Sequence, residues 1–412
     1  LKAATLAIAW LLSGLSTSSA LARDYGIAYQ VRVRPDAGIA AVTIEVDQKK
    51  PLLLELSASL QGDHWFDFEA DGELALDDEQ GFRWTPPATG GTLAFSTRID
   101  RLRDDHDYDS RCMPSWMLTR AENLFPPMAA RFESGTSASA TLELDLPPSW
   151  QVVTPFERKG KRFIIEQSHR RVDQPKGWMI AGRLDRIEET IAGTRVLMAA
   201  PRSHDARLRD LLAFLRFVLP SLAEIAGEMP PRIVIVMADD PMWRGGLAGP
   251  ASMFLHADRP FIDEDGTSPL IHELVHVITH ARAAPGYDWL VEGLAEFYSL
   301  QVLRRSGAVS EETHAASLER LRARGRGVVA FDGESAGAET ARAVTLMHEL
   351  DRSIHRETEE EASLDDVLQA LVAERTRLDR ETLLELVERT SGVTTAATDL
   401  LNRAPKILVP EE

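Results

Sequence analysis

The sequence predicts an α+β chain in which an all-β, sandwich-like N-terminal domain precedes a mixed α/β core and a helical C-terminal part. Three patterns carry this. From Asp24 to about Thr194 short segments alternate apolar and polar residues, as in Tyr29-Gln-Val-Arg-Val-Arg, Ala41-Val-Thr-Ile-Glu-Val and Ala140-Thr-Leu-Glu-Leu-Asp-Leu, which is the period of half-buried strands. Near Gly193 continuous apolar strands and a helical stripe replace that alternation. After Ser299 apolar residues recur only at helical spacing, so everything beyond it is expected to be helical.

In chain order, residues 1–22 read as a secretory signal, with Lys2 as a minimal positive end, an apolar run from Ala3 to Leu15, and a small-residue stretch from Ser16 to Ala22. Cleavage is expected before Arg23, with export to the periplasm of a Gram-negative bacterium. About thirteen apolar residues fall short of the ~20 that span a bilayer, and no other segment qualifies, so no integral span is expected in the mature chain. The expected units are then a β domain over 23–194, a core over 195–306 and a helical region over 307–412. Within the β domain Trp65, Trp84, Trp116 and Trp150 follow no fixed interval and are expected to pack rather than bind. Asp100 to Asp109 reads as a solvated loop. Cys112 is the one cysteine, which excludes an internal disulfide and makes it a small packed hydrophobe.

Thr194-Arg-Val-Leu-Met-Ala-Ala is expected to be a strand. Asp205 to Gly227 reads as a helix carrying Leu208, Leu211, Leu212, Leu215, Val218, Leu219 and Leu222 on one face, with a kink at Pro220. Arg232-Ile-Val-Ile-Val-Met and Ala251-Ser-Met-Phe-Leu-His are expected strands. Further on, Ala343, Leu346, Met347, Leu350 and Ile354 define a helix face, and Ser363 caps a helix bearing Leu364, Val367, Leu368, Leu371 and Val372. The formal charge of −18 argues against nucleic acid or an anionic membrane surface as partner, because both are bound by clustered Lys and Arg. The sequence leaves the oligomeric state open.

The chemistry is concentrated in residues 271–299. His272 and His276 are four apart, so on a helix their imidazoles leave one face a turn apart and can grip one Zn2+ ion. Glu273 lies beside them, able to take a proton from a water that the metal polarises. A catalytic zinc takes three protein ligands as a rule. His280 continues the stripe, but on a continuous helix it would sit roughly 12 Å along the axis from His272, at ~1.5 Å per residue. Glu292 is the better third ligand, because Ala283-Ala284-Pro285-Gly286 ends the first helix and Asp288 can cap a second one that folds back. His64, His106, His169, His204, His256, His314 and His355 are isolated and receive no chemistry.

Trp289-Leu-Val-Glu-Gly-Leu-Ala-Glu-Phe, downstream of His-Glu-Leu-Val-His, resembles the glutamate zincins (gluzincins), in which a Trp-Leu-x-Glu-Gly stretch supplies the third ligand. The mature chain as a whole resembles the glycyl aminopeptidase family and, more distantly, aminopeptidase N. That resemblance implies a thermolysin-like zinc metallopeptidase domain acting on a peptide or protein substrate. It also compares Gly245-Gly246-Leu247 with the family's Gly-x-x-Glu substrate loop, whose glutamate holds a free amino terminus. Here Ala248 and Gly249 follow, and a methyl group cannot pair with an ammonium ion. Dependence on a free amino terminus is therefore not expected. The family's oxyanion-stabilising tyrosine is also missing from Glu339-Thr340-Ala341-Arg342, which leaves Arg342, His348 and Tyr298 as candidate donors. Glu296 is expected to accept a hydrogen bond from a ligand histidine, and the strand Ala251 to His256 to run along the cleft as an edge that pairs with substrate. A non-catalytic zinc-stabilised binding or scaffold protein of the cell envelope and a gluzincin hydrolase of a non-peptide substrate are the competing readings.

Overall fold

Alternating strands bury one face only by pairing into sheets that close over a shared core, and the N-terminal half does this. The computed structural model describes residues 23–60, 62–77, 81–165, 174–202, 206–331, 335–402 and 404–407. The signal-like segment 1–22, His169, His204 and Asp205 lie outside them. Arg23–Arg34 pairs antiparallel with Ile39–Asp47, which pairs with Gly90–Arg98, at the centre of a seven-stranded sheet. Tyr29, Val31, Val42, Ile44 and Phe95 point inward from it, against Leu56 and Trp84 of a four-stranded sheet and Met117 and Met179 of a five-stranded one. Trp84 and Trp116 are buried, and Trp65 and Trp150 pack against the same core. Cys112 is buried too, and burial, aided by Asp100, pushes its thiol up to about 12.

A second five-stranded sheet carries the site. Its strands run in the order Leu184–Ile191, Thr194–Pro201, Arg232–Ala238, Ser252–His256, Gly246–Gly249. The first strand pairs antiparallel with the second, so this sheet begins before residue 194. The next two pairings are parallel. Gly246–Gly249 then lies antiparallel on Ser252–His256 and forms the edge, contrary to the expectation that Ala251 to His256 would be exposed for substrate. The chain reverses at Pro250 and Ala251, the latter at φ 49°, so the two strands form a hairpin whose first arm is outermost.

The central parallel strands are buried on both faces. On one side lies helix α1 (Leu208–Ala226), which starts at Leu208 and runs through Pro220; Leu211, Leu215, Val218, Leu219 and Leu222 are buried, and Leu212 packs at the margin. On the other side Leu197, Val234, Val236 and Phe254 pack directly against Trp116, Leu118, Trp178 and Ile180 of the N-terminal domain.

The remaining helices are α2 (Pro269–Thr279), α3 (Asp288–Arg305), α4 (Glu311–Gly325), α5 (Ala338–Glu357), α6 (Leu364–Glu374), α7 (Arg380–Ser391) and α8 (Thr395–Asn402). The expected faces of α5 and α6 are buried, and Ser363 caps α6 in a reciprocal pair with Asp366. The region is not wholly helical: Arg282–Ala283 pairs with Arg377–Leu378, and Ala330–Phe331 with Lys406–Ile407. Among the described residues no helix is long and apolar enough to cross a membrane.

Helix α3 is enclosed by the others, with Trp289, Leu290, Leu294, Ala295, Phe297, Tyr298, Leu300 and Leu303 all buried, and so has no single apolar stripe. Gly293 permits this enclosure. A Cβ there would stand 2.6 Å from the Cβ of Ala343 on α5, far inside contact distance. Gly293→Leu should force α3 and α5 apart and lower stability by about 1–3 kcal/mol, the usual cost of overpacking, as read from the midpoint of denaturant unfolding.

Candidate metal centre

Helix α2 is positioned at both ends. Ser268 caps it by accepting from the Ile271 N–H at 3.2 Å, Pro269 occupies its first turn, and the Ser268 N–H donates to Ser299 Oγ of α3 at 3.1 Å. It ends where His280 turns left-handed at φ 49° and its N–H closes on the His276 carbonyl. His280 is thus the C-cap residue rather than part of a continuing helix. Tyr287, not Asp288, is the N-cap of α3, and it makes no side-chain cap bond. The Asp288 carboxylate instead accepts from the Ser335 N–H at 3.0 Å and fastens the segment before α5 to the start of α3.

These constraints turn three side chains toward one point and set a fourth behind one of them. His272 Nε2 lies 3.1 Å from a Glu292 carboxylate oxygen and 3.0 Å from His276 Nε2, while His276 Nε2 is 3.4 Å from the other Glu292 oxygen. Glu296, one turn after Glu292, lies 3.0 Å from His272 Nδ1. The expected partnership between Glu296 and a ligand histidine is therefore present. A proton on Nδ1 would be held by this carboxylate, which frees Nε2 to give its lone pair to a metal ion when one is bound.

His272, His276 and Glu292 are the one group of three or more potential ligands among the described residues whose donor atoms all lie within 4.8 Å of one another. Two imidazole nitrogens and a carboxylate suit zinc. Two Nε2 atoms 3.0 Å apart cannot both present lone pairs to each other without repulsion, which a shared cation removes. Burial opposes protonation of His272, but its contacts with Glu292 and Glu296 outweigh burial and hold the ring pKa well above 6.5. Burial would raise the Glu292 carboxyl, yet the two histidines hold it well below its ordinary value.

A cavity of about 420 Å³ opens onto this centre. Glu273 lines it opposite the edge strand, and a Cβ added to Gly246 would fall 2.8 Å from Glu273 Cγ, so only glycine lets the strand come this close. Ala248 lies on the same strand and, as expected, offers no carboxylate.

None of the three expected oxyanion donors lines the cavity. Tyr298 is fully buried, where burial and Asp365 drive its phenol well above the ordinary range; the backbone of Arg342 packs on Gly325; His348 lies elsewhere on α5, its ring pKa lowered by burial. Thr340 does line it, with its hydroxyl 3.2 Å from that of Ser335. Its position in the segment examined for a tyrosine was the available signal, since a hydroxyl was there. Asp263 also lines the cavity, paired with Arg259 at 2.9 Å, and burial raises its carboxyl pKa. No spacing in the sequence marks it.

No family model and no curated protein matches the sequence. Solved structures do match. An aminopeptidase N family protein from Idiomarina loihiensis superposes with a TM-score of 0.71 at 16% identity, over 94% of this chain and 76% of that one. An M1 zinc metallopeptidase from Deinococcus radiodurans gives 0.62 at 17% identity over 95% of both chains. The chain has the M1 zinc metallopeptidase fold. Leukotriene A4 hydrolase from Saccharomyces cerevisiae shares it, with a TM-score of 0.56 at 15% identity over 96% of this chain and 72% of that one.

Purified protein should hold about one zinc per chain, and His272→Ala, His276→Ala or Glu292→Ala should each abolish tight binding in a metal titration. Glu296→Gln should weaken it by about 10–100-fold with the ligands intact. Protons compete with metal for His272 Nε2, and the metal-free ring keeps its proton to a pH above 6.5. Apparent zinc affinity should therefore begin to fall above pH 6.5 as the solution is acidified.

Proposed function

We propose that the protein is an exported zinc-dependent peptidase, with Glu273 as general base. The observation that carries this reading is the convergence of His272, His276 and Glu292 beside a carboxylate, Glu273, that lines the same cavity and faces an edge strand. The M1 fold supports it, as does the Deinococcus radiodurans enzyme, a variant of which was solved with a Tyr-Ser-Ala substrate. The finer resemblance to glycyl aminopeptidases rests on the Trp-Leu-Val-Glu-Gly stretch and belongs to this proposal.

Zinc, when bound, supplies Lewis acidity toward a carbonyl and toward water near neutral pH. The residues do the rest. Glu273 accepts the proton of the attacking water on a carboxylate oxygen and passes it to the leaving amine. Glu296 holds the Nδ1 proton of His272 and so keeps its ring oriented. Gly246–Gly249, as the edge, offers backbone N–H and C=O groups to an extended peptide. Arg342, His348 and Tyr298 do not line the cavity, and we assign the oxyanion-donor role to the Thr340 hydroxyl, which does.

Ala248 favours cleavage that does not require a free amino terminus. It is also the observation behind a second reading, a non-catalytic zinc-stabilised protein of the cell envelope. Turnover separates the two. Glu273→Gln should retain zinc and lose at least about 10²-fold in kcat, the scale of a general base, and a peptide with an acetylated amino terminus should be cut as readily as its free counterpart. Strict dependence on the free amine would move that role to another acid, such as Glu296 or Asp263 in the cavity; Asp258 does not line it. If the zinc-loaded wild type cuts nothing in a broad peptide library, the scaffold reading replaces the peptidase.

Export rests on the signal-like segment 1–22. Amino-terminal sequencing of the protein recovered from cell fractions should find Arg23 or a neighbour as the first residue, in the periplasmic fraction. Recovery of only the uncleaved chain in the cytosol would overturn it.

A further inference from the structure

The segment from Asp100 to Asp109 reads as a solvated loop in the sequence, but Arg101–Leu102 pairs antiparallel with Tyr108–Met113, so it is a hairpin loop, and it reaches the residues that wall the cavity. The Tyr108 N–H donates to the Pro241 carbonyl and the Trp243 N–H to the Tyr108 carbonyl, both at 3.0 Å, so the loop is laced to the segment leading into the edge strand. Within the loop, Asp104 accepts from the backbone N–H groups of His106 and Asp107, and Arg103 pairs with Asp109 at 3.0 Å. That pairing orients the Arg103 guanidinium, which lies over the Trp243 ring with 3.9 Å to the centroid. The ring also lies where a side chain on Gly245 would stand, since a Cβ there would fall 2.0 Å from it. Trp243 is thus clamped between a cation from the N-terminal domain and the bare backbone at Gly245. What remains of its surface lines the cavity that also contains Gly246 and Glu273.

An indole held this way is a preformed wall. It offers apolar area and an electron-rich ring without having to be immobilised when a ligand arrives. The neighbouring Arg244 does not compete as a recognition group, because its guanidinium is engaged by Asp240 and, at 3.6 Å, by Asp258. From these contacts we propose that Trp243 forms a subsite for an aromatic side chain beside the scissile bond, and that the Asp100 to Asp109 loop sets this preference through Arg103. The inference rests on the peptidase reading and names its substrate class as peptides carrying an aromatic residue next to the cut. Trp243 touches the substrate; Arg103 is a positioning residue.

The test compares acetylated peptides carrying Phe, Leu or Ala on either side of a bond the zinc-loaded wild type cuts. Trp243→Ala should lower kcat/KM for the Phe peptides by at least about tenfold while changing the Ala peptides by less than about twofold, the scale on which apolar pockets discriminate. Arg103→Ala should produce a smaller loss in the same order, Phe before Ala and carried by KM, and Arg103→Lys, which keeps a cation over the ring, should restore it. Equal loss on every peptide, or none on the Phe peptides, overturns the subsite. Should Trp243→Ala fail to fold, Trp243→Leu and the Arg103 pair give the same readout.

Calorimetric binding of the same peptides to zinc-loaded Glu273→Gln separates this inference from the reading beneath it. A Phe preference in binding that vanishes with Trp243→Ala, while the zinc-loaded wild type cuts none of the peptides, would keep the subsite and remove the peptidase. Turnover whose Phe preference is untouched by Trp243→Ala would keep the peptidase and remove the subsite. The absence of both turnover and binding preference would remove both.

Discussion

The site depends on one interaction, the hold that two successive carboxylates of α3 have on the two ring nitrogens of His272. Glu292 meets Nε2 and Glu296 meets Nδ1, and because those acids are one turn apart on a rigid helix they fix the height and the rotation of α2 against α3. The other contacts of the pair are consistent with that register. Ser268 to Ser299 ties the start of α2 to the far half of α3, and Gly293 lets α5 close over α3. A shift of either helix by one residue would separate the three donor atoms and leave buried charges without partners, which is costly in proportion to their burial.

Much of this was legible in the sequence because its period matched its environment. The pairing of His272 with His276 and that of Glu296 with Glu292 follow from spacings of four residues, whereas Glu292 itself is reached from the Pro-Gly break before α3 and from the Trp-Leu-Val-Glu-Gly stretch. The faces of α1, α5 and α6 follow from stripes that meet a single core. The reading failed where that link between pattern and environment breaks. Gly246–Gly249 has no alternation, because its role is to let Glu273 approach bare backbone, and so it did not announce itself as the edge strand. Asp288 resembled a cap in sequence, yet its carboxylate is engaged by the distant Ser335 N–H. Tyr298 was a candidate donor in the absence of the family's tyrosine, but α3 is enclosed by its neighbours and its residue types do not say so.

The charge of the chain, −18, does not describe the cavity in detail. Its wall carries Asp263, Glu273, Glu292 and Glu296 together with Arg244, Arg259 and Arg324, and each of these arginines has an aspartate within 4.0 Å. Net charge describes how the molecule behaves at long range, whereas the electrostatics of a site are set by pairs a few ångströms apart. Asp263, His272 and Glu292 all depart from their ordinary pKa values through such neighbours and through burial, independently of the total.

The apolar seam between the N-terminal domain and the site-bearing sheet has a consequence for how the molecule can be divided. Val234, Val236 and Phe254 are each no more than 1% exposed, and on that face their cover is Trp116, Leu118, Trp178 and Ile180 rather than a helix of their own half. One of the two layers over this sheet therefore belongs to the preceding sandwich. The two halves accordingly share one apolar seam. A deletion or recombination that parted them would uncover a hydrophobic sheet face, so the sheet that carries the candidate site is expected to lose stability without the β domain.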